Sequence, residues 1–89
     1  MPISSRVKMI TAAQIRAARG ALGWSAQDLA QQSGVGHRTI VRMEAANGVP
    51  LGRVSTLLDV KAALEGGGIE FVGSPDDRPG IRLGKKHSL

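Results

Sequence analysis

The tightest constraint in this sequence is a spacing. Between Ser25 and Glu44 the chain offers two helix-like stretches, SAQDLAQQSG and GHRTIVRMEAANG, separated only by Gly34, Val35 and Gly36. Ser25 suits an N-cap, Asp28 completes a capping box, and Gly34 suits the left-handed residue that ends a helix. His37 opens the next helix, with Gly36 as a tolerable cap. So short a bend holds two helices at a steep angle and pushes the outer face of the second away from the body. Leu29, Val35, Ile40 and Met43 supply the apolar contact between them, and the small Ala30 sits where they cross. The second helix, expected to reach about Ala46, has two sides. Arg38 and Arg42 share one, with Ile40 and Met43 roughly opposite.

The flanking sequence supplies the rest of a small domain. TAAQIRAARGALG predicts a first helix, capped by Thr11 with Gln14 closing the box, carrying an apolar stripe of Ile15, Ala18 and Leu22 and stopping at Gly23. Trp24, just before the Ser25 cap, is placed to pack on Leu29 as a hydrophobic staple. VSTLLDVKAALEG predicts a fourth helix with Val54, Leu57, Val60 and Leu64 buried, broken by Gly66, Gly67 and Gly68. IEFV and GIRL then read as the two strands of an antiparallel hairpin, joined by a loose loop, GSPDDRP. The expected organisation is a flexible extension over 1–8, a helical domain over 9–66, the hairpin over 67–84 and a flexible basic tail over 85–89.

Composition narrows the classes. An 89-residue chain makes one domain. Its core must rest on aliphatic side chains, because Trp24 and Phe71 are its only aromatic residues, and no cysteine is present to staple it. His37 and His87 are the only histidines and show no ligand spacing, so neither a metal site nor a cofactor is expected. No Ser/His/Asp grouping has supporting context, and Gly66 to Gly68 lack the lysine and strand of a phosphate loop; an enzyme is not expected. No apolar run approaches the roughly 18 residues that span a bilayer, and no signal-peptide pattern appears. The expectation is a soluble cytoplasmic protein without a membrane partner. A net charge of +5 favours polyanionic partners, although the positive charge is concentrated towards the two ends and the central segment is close to neutral.

With these residues in place, DLAQQSGVGHRTIVRMEAANG, together with IRAAR upstream, resembles the lambda-type repressor (Cro/Xre-like) helix-turn-helix family. Leu29-Ala30, Gly34-Val35, Thr39-Ile40 and Glu44 fall on that family's pattern, and the resemblance runs over about residues 10 to 65. It implies a mainly α fold, a four-to-five-helix lambda-repressor-like domain, here followed by a short C-terminal β-hairpin that lies outside the shared pattern. It also implies double-stranded DNA as partner. The family reads bases from the first, second and sixth positions of the recognition helix, which here are His37, Arg38 and Arg42. An arginine makes two parallel hydrogen bonds to guanine O6 and N7, and Val41 on the same side suits a thymine methyl.

Ser25, Ala26 and Gln27 would offer a phosphate the free N–H groups of a helix start, with Thr39, Asn47 and Arg53 as further phosphate contacts. The family often has glutamine where this chain has Ala26, which weakens that anchor. Arg19 and Glu44 match a family ion pair between the first and third helices, a structural role. The hairpin remains open between two uses: Ile69, Phe71, Ile81 and Leu83 either cover the chain's own helices or join a partner subunit. The leading expectation is therefore a sequence-specific transcriptional regulator, a repressor acting as a homodimer. The alternative is a protein-interaction module, an antitoxin or antiactivator that grips a protein partner with the same fold.

Overall fold

The protein's computed structural model describes residues 9–84. The expectations for 1–8 and 85–89 lie outside the described residues. The chain forms α1 (Ala12–Leu22), α2 (Ala26–Ser33), α3 (His37–Glu44), α4 (Val54–Gly66), β1 (Ile69–Ser74) and β2 (Asp77–Leu83). It is mainly helical, with four helices followed by one antiparallel two-stranded sheet.

Local chemistry sets the helix ends. The Thr11 hydroxyl accepts from Gln14 N–H at 3.1 Å while Gln14 Oε1 accepts from Thr11 N–H at 2.8 Å, a reciprocal capping box. Ser25 and Asp28 repeat it on α2 at 3.0 and 2.9 Å. Between α2 and α3, Gly34 takes the left-handed conformation (φ 75°), where a Cβ would be strained. α3 ends at Glu44, two residues short of the expected Ala46. Ala45 stays right-handed there instead of making a left-handed cap.

The core gathers one stripe from each helix. Ile15 and Ala18 of α1, Leu29 of α2, Ile40 of α3 and Val60 and Leu64 of α4 have no exposed surface. Val54, expected in the α4 stripe, is 51% exposed instead, because it is the first residue of the helix, at the open end beside the Pro50–Arg53 loop. Trp24 is half-buried at the edge of the core. It packs so close to the end of α4 that a Cβ on Gly67 would lie 3.1 Å from its ring and 2.8 Å from Leu22.

The hairpin closes the remaining apolar gap. Ile69 pairs with Leu83 and Phe71 with Ile81, so all four side chains share one face. Ile69 and Phe71, at 4% and 6% exposure, belong to the chain's own core. The expected loose loop is in fact tight. A bulge at Gly73 (φ 74°) lets pairing continue to Ser74 and Asp77, leaving Pro75 and Asp76 as the tip. Gln14 pins this sheet to α1, its Nε2 donating to Gly80 O at 2.8 Å and to Val72 O at 3.3 Å.

Gln14→Leu removes these bonds and half of the α1 capping box at one stroke. Each buried group left unpaired costs about 1–3 kcal/mol, so the urea midpoint is expected to fall in proportion to a loss of at least about 2 kcal/mol. A variant within about 0.5 kcal/mol of wild type would show that the peg contributes nothing.

Candidate nucleic-acid interface

The site is built by the two short helices. Ile40 is fully buried and Met43 is 6% exposed, so the opposite side of α3 must face out at about 100° per residue. That side carries Arg38, Val41 and Arg42, all exposed, and His37 is exposed as the first residue of the helix. The bend that presents them is fixed by its own bonds. Ser33 Oγ donates to Leu29 O at 2.7 Å and accepts from Val35 N–H at 3.2 Å, while Val35 drops into the core. Arg38 and Arg42 make no ion pair or hydrogen bond with any described side chain. Their guanidinium groups are thus available to an anion.

The back of α3 is held from α1. Arg19 grips the Glu44 carboxylate with two bonds, Nε to Oε2 at 2.8 Å and Nη2 to Oε1 at 2.9 Å, and donates Nη1 to Trp24 O at 3.0 Å. The hydrogen bond with Glu44 is the main reason the Arg19 guanidinium is held above its ordinary pKa. Arg16, which as a sequence reads equally as a phosphate contact or a solvated side chain, donates Nη1 to the Glu44 carbonyl.

The six phosphate candidates do not form one cluster. Thr39, half-buried, and Arg53, exposed, line with Arg42 a groove of about 520 Å³ between α3 and the start of α4. Its floor is apolar, with Met43, Pro50 and Leu57, and no acidic side chain lines it. Asn47 is exposed in the loop after α3.

The start of α2 is a different case. The Ser25 hydroxyl and N–H are already bonded to Asp28, whose exposed carboxylate stands where a phosphate would approach. Ala26 packs partly on the core, and only Gln27 is an exposed side chain with no partner there. The same capping box that starts α2 thus competes with its use as an anion anchor, a conflict visible in the spacing Ser25-x-x-Asp28 itself.

Of the hairpin residues offered to a partner subunit, Ile69 and Phe71 are covered by the helices, and Ile81 is half-buried against the same core. They are used internally because the four helices leave an apolar opening that only the hairpin fills. Leu83, 61% exposed, is the one that remains outside.

Two short helices at a tight bend, the second with its cationic side outward, define a helix-turn-helix domain. A Cro/C1-type helix-turn-helix family profile matches residues 15–60, just over half the chain. The chain belongs to this family, whose members are DNA-binding regulators. No curated protein matches it. Among the described residues no helix is long and apolar enough to cross a membrane, and no group of acidic, histidine or cysteine side chains is placed to hold a metal ion.

Glu44→Ala strands the Arg19 guanidinium. The Arg19 side chain keeps 26% of its exposure, so the expected loss is about 1–3 kcal/mol, below that of a fully buried pair. Replacing both by methionine is expected to recover most of it, to within about 1 kcal/mol of wild type by chemical denaturation. A double variant no more stable than Glu44→Ala would show that the charge pair itself, not the stranded cation, carries the stability.

Proposed function

We propose that the protein is a sequence-specific double-stranded-DNA-binding transcriptional repressor that acts in the cytoplasm as a homodimer. One observation carries the reading: α3 turns Arg38 and Arg42 outward with no partner among the described residues, on a face whose opposite side is locked into the core. A helix so presented fits a major groove about 12 Å wide. In this reading Arg38 and Arg42 take guanine edges, Val41 meets a thymine methyl, and His37 donates to a purine N7 or a phosphate. Thr39, Asn47 and Arg53 hold the backbone beside the groove at the start of α4. Ser25, Ala26 and Gln27 contribute less than in a helix whose start is free of acid, because Asp28 repels the phosphate they would bind. Repression follows from occupancy: a bound dimer excludes polymerase from a promoter.

Leu51, 95% exposed at the rim of the α3–α4 groove, favours a second reading, a module that binds a protein partner as an antitoxin or antiactivator does. Salt separates the two. Phosphate-mediated binding weakens steeply as counterions compete. Partner binding that ignores salt and survives Arg38→Ala with Arg42→Ala supports the second reading.

Selection from a random duplex pool is expected to recover an inverted repeat with half-site centres about 34 Å apart. Arg38→Ala is expected to cost about 1–3 kcal/mol of affinity for that sequence and to relax preference at one base pair. An equal loss on random DNA would make Arg38 a phosphate contact instead.

Sedimentation equilibrium tests the dimer. Leu83→Glu is expected to shift the protein to monomer without lowering its melting temperature by more than about 2 °C, since Leu83 lies outside the core. An unchanged mass would remove the hairpin from the interface.

A further inference from the structure

The C-terminal end of α3 lacks a cap of its own. Ala45 is right-handed (φ −84°, ψ −7°), so the chain does not fold back over the last carbonyls as it does behind a left-handed glycine. Ala45 N–H bonds to Val41 O and Arg42 O, and Ala46 N–H to Met43 O. The Glu44 carbonyl has no backbone partner there and is taken by Arg16 Nη1, reaching across from α1. Arg16 is flanked along α1 by two further holds on the same segment. One turn earlier Ala12 N–H donates to Gly48 O at 2.9 Å, and one turn later Arg19 chelates the Glu44 carboxylate. Positions 12, 16 and 19 lie on one side of a helix. Together they fix Glu44 to Gly48 against α1.

We propose that Arg16 is a positioning residue that caps the recognition helix from outside and sets the angle at which α3 is presented. The proposal rests on the DNA-reading function given above. Two parallel hydrogen bonds from an arginine to a guanine tolerate only about 0.5 Å and 10–20° of misplacement. α3 is about 12 Å long at 1.5 Å per residue, so releasing one end tilts the whole reading face. Attraction to the phosphate backbone has no such angular requirement. Loss of Arg16 therefore impairs discrimination between sequences, not attraction to DNA. Its guanidinium, placed at the negative end of the α3 dipole, also favours the helix electrostatically.

Two measurements on the full chain test this. In the free protein, Arg16→Gln is expected to speed amide exchange of Ala45 and Ala46 by about tenfold while core amides such as Leu57 and Val60 stay unchanged. In binding, the same variant is expected to lose about tenfold affinity for the selected inverted repeat and less than about twofold for random duplex, with the slope of log K against log salt unchanged. Arg16→Lys, which keeps the charge and one donor, recovers part of the loss and guards against a variant that merely unfolds. Equal losses on both duplexes with a slope smaller by about one would make Arg16 a phosphate ligand and overturn the proposal. Unchanged exchange at Ala45 and Ala46 overturns it as well. A wild-type protein that selects no sequence would instead sink the DNA-reading function, while the exchange measurement still decides whether Arg16 holds α3.

Discussion

An eight-residue helix does not hold itself together in water, and both α2 and α3 are of that length. Isolated helices below about 12–15 residues are marginal because one costly nucleus is shared among few bonds. α3 therefore exists only through its burial. Ile40, fully enclosed, contributes about 1.5–3 kcal/mol by leaving water. Met43 and Glu44 add a second contact line on the same side. With that side committed, the direction of Arg38 and Arg42 is no longer adjustable: a residue two positions from a buried one points roughly opposite. The exposure of the cationic face and the stability of the helix are one fact seen from two sides.

Electrostatics then divides the labour among the basic residues. Arg19 is committed to the Glu44 carboxylate, while Arg16, exposed on α1, donates one bond to the Glu44 carbonyl. Arg78 and Arg82 are paired with Asp77 and Glu70 on the hairpin. Arg38, Arg42 and Arg53 keep no partner among the described residues, and Arg42 and Arg53 border the same groove. Among the described residues, pairing elsewhere thus leaves the unmatched guanidinium groups on α3 and at the start of α4. The starts of the helices reinforce the division. α2 begins with its own acid, Asp28, bonded to Ser25, whereas α4 begins at Arg53 with no side-chain cap and no acidic residue in its first turn. An anion approaching the domain meets repulsion at α2 and attraction at α4.

Much of this is legible in the sequence because the deciding interactions are local. Both capping boxes lie within four residues of sequence, and so do the glycine stops at Gly23 and Gly34. The period of Leu57, Val60 and Leu64 likewise needs only one helix to be read. What the sequence leaves open depends on partners far along the chain. α3 stops at Glu44 rather than Ala46 where a residue 28 positions away takes its last carbonyl. No local pattern announces that. The tightness of the hairpin tip depends on a bulge that propagates pairing past Gly73, which a run of turn-forming residues conceals. At the site, an alternation of apolar residues identifies Ile69, Phe71, Ile81 and Leu83 as one face but cannot say what covers it.

The answer to that last question follows from the scarcity of aromatic residues. Four short helices built mostly from aliphatic and alanine side chains enclose too little volume to close on themselves, so the one phenylalanine is brought in from outside, on a strand. Phe71 and Ile69 fill the opening, and Gln14 secures the sheet by its backbone carbonyls rather than by a side chain that a substitution would easily alter. The hairpin is therefore part of the core, which limits how it can serve an interface. Pro79 interrupts the N–H donors along β2, so extension of the sheet by a further strand on that edge is disfavoured. What the hairpin still offers to another molecule is Leu83 at its end, next to an outer face carrying the Glu70–Arg82 pair. An assembly through this element would join side chains at the foot of the sheet, leaving α3, fastened to the other elements through α1, free to be presented unchanged.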